Sequence, residues 1–220
     1  MRVLLTGGSG VLGRVATPRL RAAGHQVDAP PHNQLDLFDV DQVKAAVRQA
    51  DAVLHLATRI PPPDDQGNPE AWQENDRLRR EATGILVDAA LAAGVQRFIF
   101  PSIAFVYPSS GLVDESTPVA EDLPWPRRSA LDAEAHVARF AEGGGQGVVL
   151  RLGWLYGPGT GSEAPASRYV SFGATLQVED AGRALVAALD APSRTYNVVG
   201  DAGRVSNARF KQVTGWRAQH

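Results

Sequence analysis

The chain contains no cysteine. That excludes disulfide scaffolds, thiolate zinc sites and a cysteine nucleophile. An excess of one charge is missing as well: 22 Lys and Arg stand against 24 Asp and Glu, a formal charge of −2. Nothing in that balance calls for nucleic acid or an anionic membrane as partner. No apolar run has the length of a membrane span, and Met1-Arg2-Val3-Leu4-Leu5-Thr6 leads straight into glycines rather than a signal-peptide core. A soluble cytoplasmic protein is the expectation. His25, His32, His55, His136 and His220 show no metal-ligand spacing, so no metal site is expected. There is no Gly-x-Ser-x-Gly elbow, which counts against an α/β-type hydrolase. What remains is a globular composition, 44% apolar and 21% charged over 220 residues, a length that suits one domain.

Strand-like and helix-like segments alternate. Arg2 to Thr6 is an apolar β run stopped by Gly7-Gly8-Ser9-Gly10, and Val11 to Ala23 reads as a helix ended by Gly24. His25 to Ala29 is a second strand, Val40 to Ala50 a helix, and Ala52 to Leu56 a strand apolar enough for burial on both faces. Glu70 to Ala93 reads as one long helix. Strands follow at Arg97 to Pro101, Gly147 to Leu152 and Thr195 to Val199, with helices at Ser129 to Glu142 and Val178 to Leu189. Gly143-Gly144-Gly145 reads as a helix-ending turn. The alternation predicts an α/β fold, a doubly wound parallel sheet with right-handed crossovers.

Gly8-x-Gly10-x-x-Gly13 lies between the first strand and the first helix, the context a dinucleotide-binding turn needs. Glycines let the backbone approach a pyrophosphate, and the helix N-terminus offers amides and a positive dipole. The acidic residue usual about 20 positions on is absent. Pro31, His32 and Asn33 stand there, and Asp28 falls inside the strand. A preference for NAD over NADP is therefore not expected. His32 is placed to meet a 2′-phosphate or to sit solvated in a loop.

Seven ordered segments resemble the extended or atypical short-chain dehydrogenase/reductases of the NAD-dependent epimerase/dehydratase group. They are Thr6 to Gly13, Leu35-Asp36-Leu37, His55-Leu56-Ala57-Thr58, Asn75, Pro101 to Tyr107, Arg151 to Gly159, and Val178-Glu179-Asp180. The resemblance implies a Rossmann-type fold binding NAD or NADP. Gly7, Gly10, Val11, Leu12 and Gly13 would hold the pyrophosphate, and Asp36 and Leu37 the adenine. Leu56, Ala57 and Thr58, with Asn75 on the following helix, would lie along the cofactor. It also implies residues 1–220 as a single domain, with a small substrate lobe from parts of 157–178 and 200–220, trimmed relative to the family. A small-molecule substrate is implied, and a homodimer is left open.

The departures fall on the chemistry. The family's Tyr-x-x-x-Lys pair supplies an acid/base and a cation that lowers its pKa. In matching register this chain has Pro126 and Ala130, with Ser129, Leu131, Ala133 and Glu134 keeping the frame. The family's catalytic Ser or Thr falls on Ile103, one step from Ser102, and a one-residue offset on a strand reverses the face. Tyr107 and Ser102 are left as acid/base candidates, with Tyr156 behind them. Arg127-Arg128 read equally as an anion-binding pair or a solvated one. His55 reads as structural, and His136 as exposed. Two kinds of function stay open. One is an NAD(P)-dependent oxidoreductase, or an isomerase or lyase, acting on a small sugar-like or secondary-metabolite substrate by a non-standard mechanism. The other is a non-catalytic NAD(P)-binding sensor or partner-supporting protein.

Overall fold

The computed structural model describes residues 1–123, 125–165 and 172–220; of the rest, the side chains of Pro63, Trp125 and Pro126 also lie outside the description. Six parallel strands form the central sheet: β1 (Arg2–Thr6), β2 (Gln26–Asp28), β3 (Ala52–His55), β4 (Arg97–Ile103), β5 (Gln146–Leu152) and β8 (Arg194–Val198). Their spatial order is β2-β1-β3-β4-β5-β8, and every pair is parallel. The chain steps to one side of β1 for β2 and to the other for β3. That reversal opens a crevice beyond the strands' carboxyl ends, where ligands of such sheets bind.

Side-chain alternation along each strand builds two cores. On one face Val3, Leu5, Leu54, Ile99, Val148 and Leu150 pack against α1 (Val11–Ala22) and α6 (Val178–Ala187). On the other, Leu4, Val53, Phe98, Phe100 and Val149 meet α2 (Val40–Val47), α4 (Thr83–Ala92) and α5 (Trp125–Glu142). Asp39 starts α2 by accepting from the amides of Asp41 and Gln42. As expected, the three glycines after Glu142 end α5: Gly145 donates back to Phe140 O, and Gly144 is left-handed at φ +95°.

Two segments differ from the sequence reading. The single helix expected over 70–93 is a 3₁₀ turn at Pro69–Trp72, α3 (Gln73–Arg77), a π-helical turn at Leu78–Ala82, then α4. The wide turn shifts the helical period by one residue, and the residues around it include buried Asn75, Asp76, Arg79 and Thr83. β4 also runs two residues past its expected end at Pro101. Its ladder to β3 ends at Leu54–Ile99, while pairing with β5 continues to Ile103–Leu152. Pro101 lies beyond the β3 ladder, where a missing N–H costs nothing.

A smaller parallel pair, β6 (Trp154–Tyr156) and β7 (Thr175–Gln177), lies after β5 and before α6. A further bridge joins Val113 to Val205, and α7 (Ala208–Thr214) follows. The sequence reading had neither β6 nor β7. Residues 166–171 of the expected lobe lie outside the described residues.

Candidate functional site

Gly10 caps α1 without any side-chain hydrogen bond. The opening amides of a helix have no carbonyl one turn back to bond, so those of Val11, Leu12 and Gly13 face the turn. The glycines make this close approach steric necessity. A Cβ on Gly13 would stand 2.3 Å from Gly7 O, and one on Gly7, at φ +76°, would stand 2.7 Å from the Ala57 amide nitrogen. The turn is thereby pressed against Leu56–Ala57 at the end of β3. An exposed, uncapped helix start held beside a second strand end fits a dinucleotide pyrophosphate.

On the adenosine side, Asp28 ends β2 and is exposed, and His32 is exposed in the loop beyond. The Asp36 carboxylate accepts from the Phe38 amide at 2.9 Å, while Leu37 is buried beneath it. At the end of β3, Leu56 is buried, Ala57 half-buried and Thr58 exposed. Asn75, fully buried, accepts the Arg59 amide at 3.1 Å and so fixes the strand's exit loop. The structure thus brings Gly7, Leu56, Ala57 and Asn75 to one edge. His55 is structural: its Nδ1 meets Thr6 Oγ1 at 2.6 Å, and burial drops its pKa to about 4, against a weaker opposing pull from the Leu78 carbonyl.

The chemical end of the crevice is different. Ala130 is fully buried, and Ile103 is a half-buried aliphatic at the last position of β4. Pro126, which stands where the resemblance expects the family tyrosine, has its side chain outside the described residues. Ser102 and Tyr107 lie inside a buried network. Ser102 Oγ donates to Glu134 Oε1 at 2.5 Å, and Glu134 holds Arg151 through two bonds of 3.0 and 2.7 Å. The Arg151 guanidinium stands 5.0 Å over the Tyr107 ring, and Tyr107 Oη donates to Asn197 Oδ1 at 2.8 Å. Tyr107 is 2% exposed, and burial pushes its pKa up, with Arg151 opposing. Both hydroxyls therefore donate within the protein, Ser102 to Glu134 and Tyr107 to Asn197. Tyr156 is half-buried at the end of β6.

Sequence reasoning missed several groups here. Arg79 is 5% exposed and donates to Ser129 Oγ at 3.3 Å, beside Ala130. Burial lowers its pKa to about 10, offset by Asp76 and Glu134, so it stays charged at neutral pH. Asn197 and Glu115 were also missed; Glu115 accepts the Asn197 amide and pairs with Arg209 at 3.5 Å. The signal was an asparagine inside the apolar run of β8. Of the arginine pair, Arg127 Nη1 bonds Phe105 O at 3.0 Å, and Arg128 bonds Leu123 O at 3.2 Å. His136 contacts Arg80 O at 2.9 Å. Among the described residues no group of acidic and histidine side chains could hold a metal ion, and no helix is long and apolar enough to cross a membrane.

Comparison with known proteins agrees with this geometry. The profile of the NAD dependent epimerase/dehydratase family matches residues 3–175. A 3-diazoavenalumate denitrifying reductase of a Streptomyces species is 39% identical over 178 residues, covering 73% of this chain and 58% of that protein. A 2-alkyl-3-oxoalkanoate reductase of Stenotrophomonas maltophilia is 28% identical over 173 residues, covering 72% of this chain and 52% of that protein. The chain thus spans little more than half the length of these relatives. The UDP-N-acetylglucosamine 4-epimerase structure from Bacillus cereus superposes with a TM-score of 0.82 at 18% identity, covering 100% of this chain and 94% of that one. The NAD complex of Thermus thermophilus UDP-glucose 4-epimerase gives 0.76 at 20% identity, covering 100% and 94%. The glycine turn, the crevice at the strand reversal and the match over most of the chain together make this protein a member of the NAD dependent epimerase/dehydratase family, with NAD or NADP as its cofactor.

Proposed function

We propose that the protein is an NAD(P)H-dependent reductase whose substrate accepts hydride without a proton from a tyrosine–lysine pair. The observation that carries this is the chemical end of the crevice: a methyl at Ala130, a sec-butyl group at Ile103, and the Ser102 and Tyr107 hydroxyls tied to Glu134 and Asn197. A bound nicotinamide supplies the hydride. The chain's own residues do the rest. Gly7, Gly10, Val11, Leu12 and Gly13 receive the pyrophosphate, and Asp36 and Leu37 bound the adenine. His32 would meet the adenosine ribose or a 2′-phosphate, and with proline at position 31 neither cofactor form would be strongly preferred. Leu56, Ala57 and Thr58 line the path to the nicotinamide, with Asn75 bracing it. Ser102 and Tyr107 position β4 through the Glu134–Arg151 pair.

A positioned acid or base is worth roughly 10²–10⁴ in rate, so this site suits substrates that need neither. The Streptomyces relative is named for reducing a diazo compound with denitrification. Hydride delivered to an arenediazonium cation forms the C–H bond as the C–N bond breaks and neutral dinitrogen leaves, which balances without a proton, so a substrate in that form asks nothing of a tyrosine–lysine pair. We read residues 1–220 as one domain carrying a small lobe, working in the cytoplasm on a small molecule.

Oxidation of NADH and NADPH followed with two substrate sets tests the reading. Arenediazonium acids should be reduced to the arene, with a pH–rate profile showing no limb attributable to a tyrosine. Ketones and aldehydes, whose reduction requires a proton on the carbonyl oxygen, should turn over at least about a hundredfold more slowly. Efficient ketone reduction, or no cofactor consumption with any acceptor, would overturn it.

A further inference from the structure

Arg14 joins two distant stretches of chain beside the glycine turn. It lies in the first turn of α1, its amide donates to Gly10 O at 3.0 Å, and its side chain is exposed. Nη1 donates back to Ser9 O at 2.9 Å, inside the turn. Nη2 donates to Gly159 O at 3.4 Å, 145 residues further along. Gly159 sits in a loop, 157–162, that follows β6 and is closed on itself. The Gly157 amide donates to Ser162 O at 2.7 Å. Thr160 Oγ1 donates to Gly157 O at 2.8 Å and accepts from the Ser162 amide at 3.1 Å. A loop bonded to itself in this way moves as one piece, so a tie at Gly159 holds all of it.

The charge on Arg14 is also unlike that of Arg19 on the same helix. Arg19 is paired with Glu179 at the start of α6. Among the described residues no carboxylate pairs with Arg14, and the two bonds above end on neutral carbonyls. A full positive charge therefore stands at the turn whose open amides suit an anion. It lies well inside the ~10 Å over which ~0.1 M salt screens such charges. We infer that Arg14 is a positioning residue for the cofactor pyrophosphate, holding loop 157–162 to the glycine turn and adding its charge to the helix start. This role rests on the pyrophosphate placement given above, and it keeps both carbonyl bonds. A guanidinium suits it because its planar fork spans two acceptors while its charge stays fixed.

The test reads binding and needs no turnover. NADP⁺ and ADP-ribose, which carries the pyrophosphate without the nicotinamide, are titrated calorimetrically into the intact 220-residue protein. Arg14→Met should weaken both by about tenfold at ~0.1 M salt and by only about threefold at ~1 M, where the charge is screened and the loop's share remains. Arg14→Lys keeps the charge without the fork and should stay within about threefold of the wild type. Amide hydrogen exchange at Gly157, Thr160 and Ser162 should quicken in both variants. Arg21, near the far end of α1, also bonds a carbonyl, that of Val27. Arg21→Met should leave both affinities within about twofold. Circular dichroism checks that each variant is folded. Unchanged affinity in Arg14→Met, a loss that salt does not alter, no recovery in Arg14→Lys, or unchanged exchange in the loop overturns the inference alone. A wild type that binds neither ligand overturns the cofactor reading as well.

Discussion

The two ends of the crevice follow opposite rules. At β1 and α1 the backbone builds the turn: glycines that admit close approach and one uncapped helix start, with Arg14 tied back to Ser9 O at 2.9 Å beside them. At β4 and α5 side chains do it, and the network that holds Ser102 is charged and buried, Glu134 with Arg151 and Arg79 near Asp76 and Glu134. A backbone site survives sequence change so long as the glycines remain. A side-chain site depends on each group it carries, here on the Glu134–Arg151 pair and the Ser102 hydroxyl it holds. One sheet edge thus joins a turn built by backbone to a network built by side chains, and the two answer to different substitutions.

The largest effect should come from breaking the scaffolding at the second end. Glu134 and Arg151 are about a tenth exposed, at 11% and 10%. Removing one partner strands a buried charge, so Glu134→Gln should cost about 3–5 kcal/mol of unfolding free energy in urea titrations. The double change Glu134→Leu with Arg151→Met should recover most of that loss. If the single change costs under ~1 kcal/mol, the network does not hold β4 to α5 and the contrast drawn here collapses.

At the first end, Gly13→Ala should weaken NAD(P)H by at least about a hundredfold, ~3 kcal/mol, because the methyl meets Gly7 O at 2.3 Å and Gly8 O at 2.5 Å. Gly10→Ala should lose about tenfold or less in the same fluorescence titration, since its Cβ meets only Gly7 O at 3.2 Å. A reversed order would show that helix–turn packing is not what builds the phosphate cradle.

His55 links both ends, since it is hydrogen-bonded to Thr6 and stacked near Phe98 and Phe100. Its folded pKa of about 4 lies below the ordinary value of 6.5. The unfolded chain therefore binds a proton that the folded chain refuses. Stability is unaffected above pH 6.5, falls as pH drops from 6.5 towards 4, and levels below, a loss of up to ~3 kcal/mol. Urea midpoints should show that slope in the wild type and lose it in His55→Gln.

Much of this was legible in the sequence, and unevenly so. Strand alternation and glycine stops gave β1, α1, β3 and β5 to within a residue, because each follows from local sterics and periodicity. The π turn at Leu78–Ala82 was invisible, since it is set by what Arg79 and Thr83 meet across the helix rather than by their own propensities. Tyr107 and Ser102 were singled out for their hydroxyls. Which way those hydroxyls point depends on Glu134 and Asn197, 32 and 90 residues away in the chain.

The smallest effect separates two uses of glycine. Gly24 ends α1 in the left-handed region at φ +85°, and a Cβ there meets nothing within 4 Å. Gly24→Ala should therefore cost only the conformational strain of a left-handed alanine, about 1 kcal/mol, with NAD(P)H affinity unchanged. Gly13 has no positive φ and is needed for space alone. A thermal shift for Gly24→Ala without an affinity change, beside an affinity collapse for Gly13→Ala, distinguishes a glycine that ends a helix from one that admits a ligand. An affinity loss at Gly24 would mean that the far end of α1 governs the cradle at its start. The helix would then act as a lever, and the cofactor end could no longer be called a purely local backbone device.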